Sequence, residues 1–129
     1  MTVRHFTRDD AKFYQYKDRD IFVGDVVDAS GSDSMSVGYY LNRNKGEKNE
    51  WVVTYDEALI VLRGALTIRT AEGTKTAKAG EILFLTKGTA LAYEAAEDET
   101  EVVYVSHPHW LDAQTNSEHA HLLDDYRPA

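Results

Sequence analysis

From residue 21 onward, hydrophobic and polar positions group into short runs rather than repeating at helical spacing. β-Branched and aromatic residues fill the runs, and clusters of Gly, Asn, Asp and Lys separate them, which is typical of a β-sandwich or barrel. The pattern predicts nine strands, at 21–27, 36–41, 51–54, 58–62, 66–70, 74–77, 82–85, 91–95 and 101–105. Because these strands fill most of this stretch, we expect an all-β fold.

The C-terminal end of the chain has a different pattern. Thr115-Asn-Ser-Glu118 has the form of a helix capping box. Leu122, Leu123 and Tyr126 then follow at spacings that share one helical face. The sequence therefore predicts a short C-terminal helix.

The N-terminal end carries a weaker signal of the same kind. Thr7-Arg-Asp-Asp10 has the form of a cap, and the helical turn that follows it would carry Phe13 and Tyr14.

Length and composition indicate one globular domain. The chain has 129 residues, of which 43% are apolar and 28% charged, an ordinary globular composition. We expect a single domain over 1–129, with a barrel core at about 36–106, an N-terminal segment at 1–35 and a helical tail at 107–129.

The net charge of the chain disfavours some classes of binding partner. The chain has 22 acidic and 14 basic residues, a formal charge of -8, which disfavours nucleic acid and anionic membranes as partners. No apolar run approaches the roughly 20 residues that a bilayer requires, and the first residues do not resemble a secretory signal. The absence of cysteine rules out thiolate chemistry and fits a reducing compartment, so we expect a cytoplasmic protein.

Two glycine-bounded motifs carry the chemical information. Glu57 lies seven residues before Gly64, and Gly80 and Gly88 bracket the strand predicted at 82–85. Glycine at such positions serves tight connections between barrel strands. This spacing resembles the two motifs of metal-binding cupins, which implies a single-domain cupin, a double-stranded β-helix or jelly-roll barrel.

The resemblance lacks the metal ligands. A metal-binding cupin has two histidines before the glutamate, and these positions fall here on Trp51 and Val53, or on Glu50 and Val52 with the longer spacer. In the second motif Thr86 stands in the proline position, and Leu91 and Ala95 stand in the histidine and asparagine positions. A single carboxylate cannot replace three missing histidines, so we expect neither a metal nor another cofactor.

Three segments are similar to the EutQ-type ethanolamine-utilization cupins. They are Trp51-Val-Val-Thr-Tyr-Asp-Glu57, the strand from Gly80 to Gly88, and the ending Val103-Tyr-Val-Ser-His-Pro-His-Trp110, whose Pro-to-Trp spacing is one residue shorter than the family pattern. The resemblance covers roughly residues 36 to 110. It implies a link to ethanolamine metabolism and to acetate-kinase-like phosphoryl transfer.

Strand alternation predicts which side chains face the barrel interior. If Leu91 points inward, so does Tyr93, and Trp51 and Val53 point inward with Glu57 turned toward the same cavity. The candidate ligand-binding residues are Tyr40, Trp51, Tyr55, Glu57, Leu91 and Tyr93. An aromatic cavity with one carboxylate suits a small organic ligand, including a cationic or hydroxylated one. The alternative is that Glu57 only satisfies hydrogen bonds in the interior and that the aromatic rings only fill the core.

Two histidine pairs lie outside the motifs. His119 and His121 fall about 200° apart on the predicted helix, so they cannot bind one ion together. His107 and His109 leave the last strand in an extended segment, where no third ligand is evident and a surface or packing role is favoured over metal binding.

Three hypotheses for function remain. The first is a metal-free cupin that binds a small metabolite of amine or aldehyde catabolism. The second is an enzyme, either with Glu57 as acid/base and Tyr93 or Tyr55 orienting the substrate, or with Mg²⁺ held by carboxylates for phosphoryl transfer. For that transfer the carboxylates would be Asp56 and Glu57, and the nearest cations are Lys87 and Arg63. The third is a non-catalytic homodimeric interaction module that dimerises through strand and C-terminal contacts.

Overall fold

The computed structural model describes residues 2–129, and antiparallel β-strands make up most of them. The strands are β1 (Lys12–Tyr16), β2 (Ile21–Val27), β3 (Ser36–Asn42), β4 (Lys48–Val52), β5 (Asp56–Arg63), β6 (Ala65–Thr70), β7 (Gly73–Lys78), β8 (Ile82–Leu85), β9 (Ala90–Ala95), β10 (Thr100–His107) and β11 (Tyr126–Pro128). One α-helix, α1 (Trp110–Thr115), and two 3₁₀ turns (Arg8–Asp10 and Ala120–Asp125) complete the fold.

The strands form two facing sheets. A seven-stranded sheet has the order β11-β1-β2-β3-β10-β5-β8, and a four-stranded sheet has the order β4-β9-β6-β7. All pairings are antiparallel, and the core lies between the sheets. This is the jelly-roll arrangement that the glycine-bounded motifs indicated.

All nine predicted strands are present, most of them with ends within two residues of the prediction. The largest difference is at β4, which begins at Lys48 rather than at residue 51. Burial alternates strictly along β3 and through most of β5 and β10, so inward and outward positions follow the period of two.

The prediction of a helical turn that carries Phe13 and Tyr14 is wrong. The Asp10 side chain accepts a hydrogen bond from the Thr7 backbone N–H at 2.7 Å, so the cap exists, but it closes only a 3₁₀ turn. Phe13 and Tyr14 lie in β1, where they pair with Gly24 and Val23 of β2. Pairing with β2 on one side and with the distant β11 on the other decided the structure of this segment.

The C-terminal helix exists but lies earlier than predicted. α1 ends at Thr115, where the sequence suggested a start, and the Thr115 hydroxyl donates to Leu111 O at 2.7 Å instead of capping a new helix. Leu122 and Leu123 lie in the second 3₁₀ turn. Tyr126 begins β11, which pairs with β1. The His119 and His121 pair therefore lies in this turn region and not on an α-helix.

None of the helices described for residues 2–129 is long and apolar enough to cross a bilayer.

The connection from β5 to β6 depends on a glycine. Gly64 has φ of 72°, and a Cβ atom placed on it would lie 2.6 Å from Thr100 Oγ1 and 2.9 Å from Thr100 Cα. Gly80 has a similar φ of 88°, but no atom lies within 4 Å of its added Cβ. Both glycines have a left-handed backbone, but only at Gly64 would an added Cβ atom meet another residue.

We expect Gly64→Ala to destabilise the protein more than Gly80→Ala. The left-handed backbone alone should cost about 1–2 kcal/mol at each position, and the contact with the Thr100 backbone should add about 2 kcal/mol at Gly64. Urea unfolding of both variants measures the difference. Equal losses in the two variants would show that Thr100 moves aside freely.

Candidate functional site

The two sheets enclose a small cavity with a volume of about 40 Å³. A cavity of this size holds on the order of three water molecules. Its wall consists mainly of aromatic and polar side chains. The lining residues are Val23, Tyr40, Asn49, Trp51, Tyr55, Glu57, Leu59, Tyr93, Tyr104, Trp110 and Tyr126.

Strand alternation places Glu57 in this cavity. On β4, Asn49 and Trp51 are buried while Glu50 is exposed, and the period continues through the corner so that Tyr55 and Glu57 are buried as well. Asp56 is exposed on the opposite face, where its carboxylate accepts a hydrogen bond from the Lys87 backbone N–H at 2.9 Å.

Glu57 is buried with one hydrogen-bond donor from a neighbouring side chain. Only 4% of its surface is exposed, and the Tyr93 hydroxyl donates to Glu57 Oε1 at 2.7 Å. Burial raises the pKa of the Glu57 carboxyl to about 7, and the bond from Tyr93 opposes this shift. Near neutral pH the carboxyl is therefore divided between its protonated and ionised forms.

The phenols around Glu57 stay protonated. Burial raises the pKa of Tyr55 and of Tyr93 well above the ordinary value, and the negative charge of Glu57 raises both further. The Tyr55 hydroxyl accepts a hydrogen bond from Trp51 Nε1 at 2.7 Å. Among residues 2–129 it has no acceptor for its own proton, so it can donate to a ligand.

A chain of hydrogen bonds crosses the other side of the cavity. The Tyr40 hydroxyl donates to Asn49 Oδ1 at 2.9 Å, and Asn49 Nδ2 donates to the Tyr126 hydroxyl at 2.8 Å. The Tyr126 hydroxyl proton has no acceptor within the described part of the chain. The ring of Tyr126 also packs edge-on against Trp51, with centroids 5.5 Å apart. The C-terminal strand thus closes one side of the cavity.

A half-buried carboxylate, that of Asp25, lies behind the cavity wall. Asp25 Oδ1 accepts hydrogen bonds from the Tyr104 hydroxyl and, at 2.7 Å, from Trp110 Nε1. Burial raises the pKa of Asp25, although both of these bonds oppose the shift. Asp25 fixes the orientation of two aromatic side chains that line the cavity.

Five of the six candidate residues come together as expected. Tyr40, Trp51, Tyr55, Glu57 and Tyr93 line the cavity, whereas Leu91 is buried but does not reach it. The role of these residues in ligand binding stays a prediction.

Sequence reasoning missed several lining residues. Asn49 lies two residues before Trp51 on the same strand, so alternation could have found it. Tyr104 alternates with buried neighbours on β10 in the same way. Trp110 and Tyr126 reach the cavity only because α1 and β11 fold back over the barrel, and no local pattern signals that.

The donor set at the usual cupin metal position does not fit a metal. Trp51, Val53 and Leu91 stand where histidines would, and Glu57 alone offers an oxygen. Within residues 2–129 no group of three or more His, Asp or Glu side chains could hold an ion. Asp56 and Glu57 point to opposite faces of β5, so they cannot share one Mg²⁺.

The His107 and His109 pair is divided between two environments. His107 Nδ1 donates to Ser34 O at 2.6 Å. His109 Nε2 is buried and has no partner within the described residues. His109 lies in a surface cleft beside Asp25, and the two rings do not form a shared site.

Comparisons with known proteins identify the family and support the fold. The family profile described as "Ethanolamine utilisation protein EutQ" matches residues 4–112, which is most of the chain. The chain belongs to the EutQ family. It has the cupin fold that the resemblance of the two glycine-bounded motifs implied.

Two curated EutQ relatives are similar to part of the chain. A protein of Escherichia coli (strain K12) named "Acetate kinase EutQ" is 31% identical over 84 residues, which cover 65% of this chain and 35% of the relative. The protein of the same name from Salmonella typhimurium matches to the same extent. The chain therefore spans about a third of the length of these EutQ relatives.

Solved structures support the fold. The Clostridium difficile EutQ protein matches with a TM-score of 0.68 at 23% identity, covering 78% of this chain and 70% of that one. A Rhizobium leguminosarum protein of unknown function matches with a TM-score of 0.67 at 26% identity, covering 84% and 100%. An RmlC-like cupin with a double-stranded β-helix fold from Methanocaldococcus jannaschii, 17% identical with a TM-score of 0.63, covers 84% and 92% and shows the same fold.

We expect the burial of Glu57 to make stability depend on pH. The pKa of Glu57 in the folded protein is about 7, above the ordinary 4.5. The contribution of this carboxyl to the free energy of unfolding is therefore complete below pH 4.5 and is lost as pH rises through 7. The free energy of unfolding of Glu57→Gln, taken relative to that of wild type, should rise by about 3 kcal/mol between acidic and mildly alkaline pH. Urea unfolding across this range measures the gain.

Glu50→Gln is the matched control, because Glu50 is exposed on the adjacent β4. The free energy of unfolding of Glu50→Gln should change with pH as that of wild type does. Asp25 changes the stability of all three proteins alike, so it cancels in the difference. A Glu57→Gln curve parallel to wild type would mean that the carboxyl is hydrated in solution.

Proposed function

We propose that this EutQ-family cupin binds a small organic metabolite in its barrel without a metal, and that the Glu57 carboxyl is the main polar contact. The observation that carries the proposal is a carboxyl that is 4% exposed yet faces a cavity between the sheets and receives one side-chain hydrogen bond. A buried carboxyl is costly unless further partners satisfy it. A ligand in the cavity would supply such a partner.

The charge and shape of the wall favour a small ammonium compound. Among the described residues no Lys, Arg or His side chain lines the cavity, so an anionic ligand would meet no counter-charge. The faces of tyrosine and tryptophan rings attract cations, and Glu57 can ionise to pair with one near neutral pH.

The unused phenol donors favour a hydroxyl group on the same ligand. Tyr55 and Tyr126 each accept a hydrogen bond and keep a proton that has no acceptor in the described residues. An amino alcohol of three or four non-hydrogen atoms could place its ammonium group at Glu57 and its oxygen near a phenol. About 40 Å³ fits a ligand of that order and nothing much larger. The family's link with ethanolamine makes ethanolamine the first compound to test.

We expect ethanolamine to bind wild type, and ethylene glycol and acetate to bind more weakly or not at all. The affinity for ethanolamine should rise with pH through about 7, because binding requires ionised Glu57. Isothermal titration calorimetry in buffers of different ionisation enthalpy measures the affinity and the proton released.

Glu57→Gln should reduce the affinity for ethanolamine by about 100-fold, since a buried charged partner is worth on the order of 2–3 kcal/mol. Glu50→Gln should leave it unchanged. If no small amine, alcohol or acid binds, the proposal of a ligand site is wrong. Stoichiometric Mn, Fe or Zn in the purified protein by elemental analysis would contradict the metal-free part.

A second candidate is acid/base catalysis by Glu57. The observation that favours it is the pKa of about 7, which allows the carboxyl both to give and to take a proton at neutral pH. Tyr93 holds Glu57 Oε1, which leaves the other carboxyl oxygen to act on a substrate.

For a substrate found by the binding assay, we expect Glu57→Gln to lower kcat by a factor of about 100 or more, the usual contribution of a general acid or base. The wild-type kcat, measured against pH, should show a pKa near 7. If Glu57→Gln kept the wild-type kcat, Glu57 would act in substrate binding and not in catalysis.

Phosphoryl transfer, the activity named for the E. coli and Salmonella relatives, has less support in this chain. Lys87 and Arg63 lie beyond opposite ends of the β5–β8 pair, roughly 25 Å apart along the strands at about 3.3 Å per residue. They cannot clamp one phosphate together. The cavity is also far smaller than a nucleotide.

A further inference from the structure

The C-terminal end of the chain folds back over the barrel and forms part of the cavity wall. We call residues 120–129 the C-terminal lid, which consists of the second 3₁₀ turn (Ala120–Asp125) and β11 (Tyr126–Pro128). Tyr126 lines the cavity, and its hydroxyl accepts a hydrogen bond from Asn49 Nδ2 at 2.8 Å. The match to the EutQ profile ends at residue 112, so the lid lies outside the part that this chain shares with the profile.

A ligand at Glu57 would have little contact with solvent. Glu57 is 4% exposed, and Tyr55 and Tyr93 beside it are 2% and 6% exposed. Nine of the eleven residues that line the cavity are buried, and the other two, Val23 and Tyr126, are half-buried. A ligand large enough to fill the cavity therefore needs part of the wall to move, and the wall lies nearest to solvent at Val23 and Tyr126.

Tyr126 lies on a strand that can move without opening the sheet, whereas Val23 does not. Val23 of β2 pairs with Tyr14 of β1 on one side and with Tyr40 of β3 on the other. Tyr126 lies on β11, which is at the edge of the seven-stranded sheet and pairs with β1 through three residues. Elements with few contacts at the edge of a structure open first. The lid is therefore the part of the wall that opens most easily.

The contacts that hold the lid in place are mostly half-buried or exposed. Arg127 Nη2 lies 2.6 Å from Asp18 Oδ1, but the Asp18 side chain is 93% exposed, and exposed ion pairs contribute little to stability. Leu122 and Leu123 are half-buried against the core. The lid can therefore open while the rest of the barrel stays folded.

We propose that the C-terminal lid is the entrance of the ligand cavity. β11 separates from β1, Tyr126 leaves the cavity wall, and a small cation passes to Glu57 before the lid closes again. The identity of the ligand rests on the proposed function, whereas the opening of the lid is a property of the chain itself. A lid that closes behind the ligand removes it from water, which strengthens its pairing with the Glu57 carboxylate.

A disulfide between β1 and β11 tests the lid, because the chain contains no cysteine of its own. Gln15 and Arg127 lie opposite each other in the pairing of these strands. The Cα atoms of such partners are about 4.5–5.5 Å apart, within the range that a disulfide spans. Both positions alternate with the inward Tyr16 and Tyr126, so Gln15→Cys/Arg127→Cys leaves the cavity wall unchanged. The same variant in its reduced form is the matched control.

The two tryptophans of the chain report on the lid without any ligand. Trp51 Nε1–H donates to the Tyr55 hydroxyl inside the cavity, and the Trp51 ring packs against Tyr126. Trp110 Nε1–H donates to Asp25, which lines a surface cleft. In hydrogen exchange followed by NMR, the oxidised disulfide should slow the Trp51 indole proton by about tenfold or more, because exchange there requires local opening. The Trp110 indole proton should keep its wild-type rate, and the reduced variant should match wild type at both.

Stopped-flow tryptophan fluorescence with ethanolamine tests the lid as a route for a ligand. The oxidised disulfide should slow association and dissociation by the same factor, about tenfold or more, and leave Kd unchanged, because the lid is closed both before and after binding. If ethanolamine does not bind the wild-type chain, the proposed function is wrong, and the exchange of the Trp51 indole proton still decides whether the lid opens.

A second variant loosens the lid instead of locking it. Leu123→Ala should speed exchange of the Trp51 indole proton by about fivefold, since it removes part of the apolar surface that holds the lid closed. Leu111→Ala is its control, because Leu111 is 38% exposed on α1. It should leave the exchange rate unchanged.

Equal exchange of the Trp51 indole proton in the oxidised and reduced forms would overturn the proposal. So would a Trp110 indole proton that slows in step with that of Trp51, because exchange would then follow unfolding of the whole chain. A folded Leu123→Ala variant with the wild-type exchange rate at Trp51 would also contradict it.

Discussion

Three hydrogen bonds between buried or half-buried side chains tie the two sheets of this barrel together. Tyr93 of the four-stranded sheet donates to Glu57 of the seven-stranded sheet, and Asn49 of the four-stranded sheet bonds to Tyr40 and Tyr126 of the other. Because water has little room between the sheets, each of these polar groups needs a protein partner. The partners fix how the sheets face each other, and with it the shape of the cavity.

The same constraint produces the chemistry of the site. Glu57 has a single side-chain donor, so burial dominates its environment and moves its pKa to about 7. The surrounding phenols are kept neutral by burial and by the nearby carboxylates. A metal-binding cupin would have histidines at the positions of Trp51, Val53 and Leu91. The ligand that we propose for this barrel is therefore a small organic molecule rather than a metal ion.

The inner and outer faces of β5 have different surroundings. Its inner side chains, Glu57 and Leu59, line the cavity and are covered by the opposite sheet. Its outer side chains include the half-buried Ile60 and the exposed Leu62. One strand thus contributes both to the cavity wall and to the outer surface of the barrel.

Local pattern in the sequence determined the nine central strands and the inward direction of Trp51, Glu57 and Tyr93, and the resemblance of two motifs to those of cupins implied the fold. Strand alternation has a period of two, so a correct strand assignment also assigns faces. The tertiary structure alone decided that β1 and β11 extend the sheet and that Trp110 and Tyr126 close the cavity. It also decided that Leu91 stays outside the cavity wall, since these outcomes depend on contacts between segments far apart in the chain.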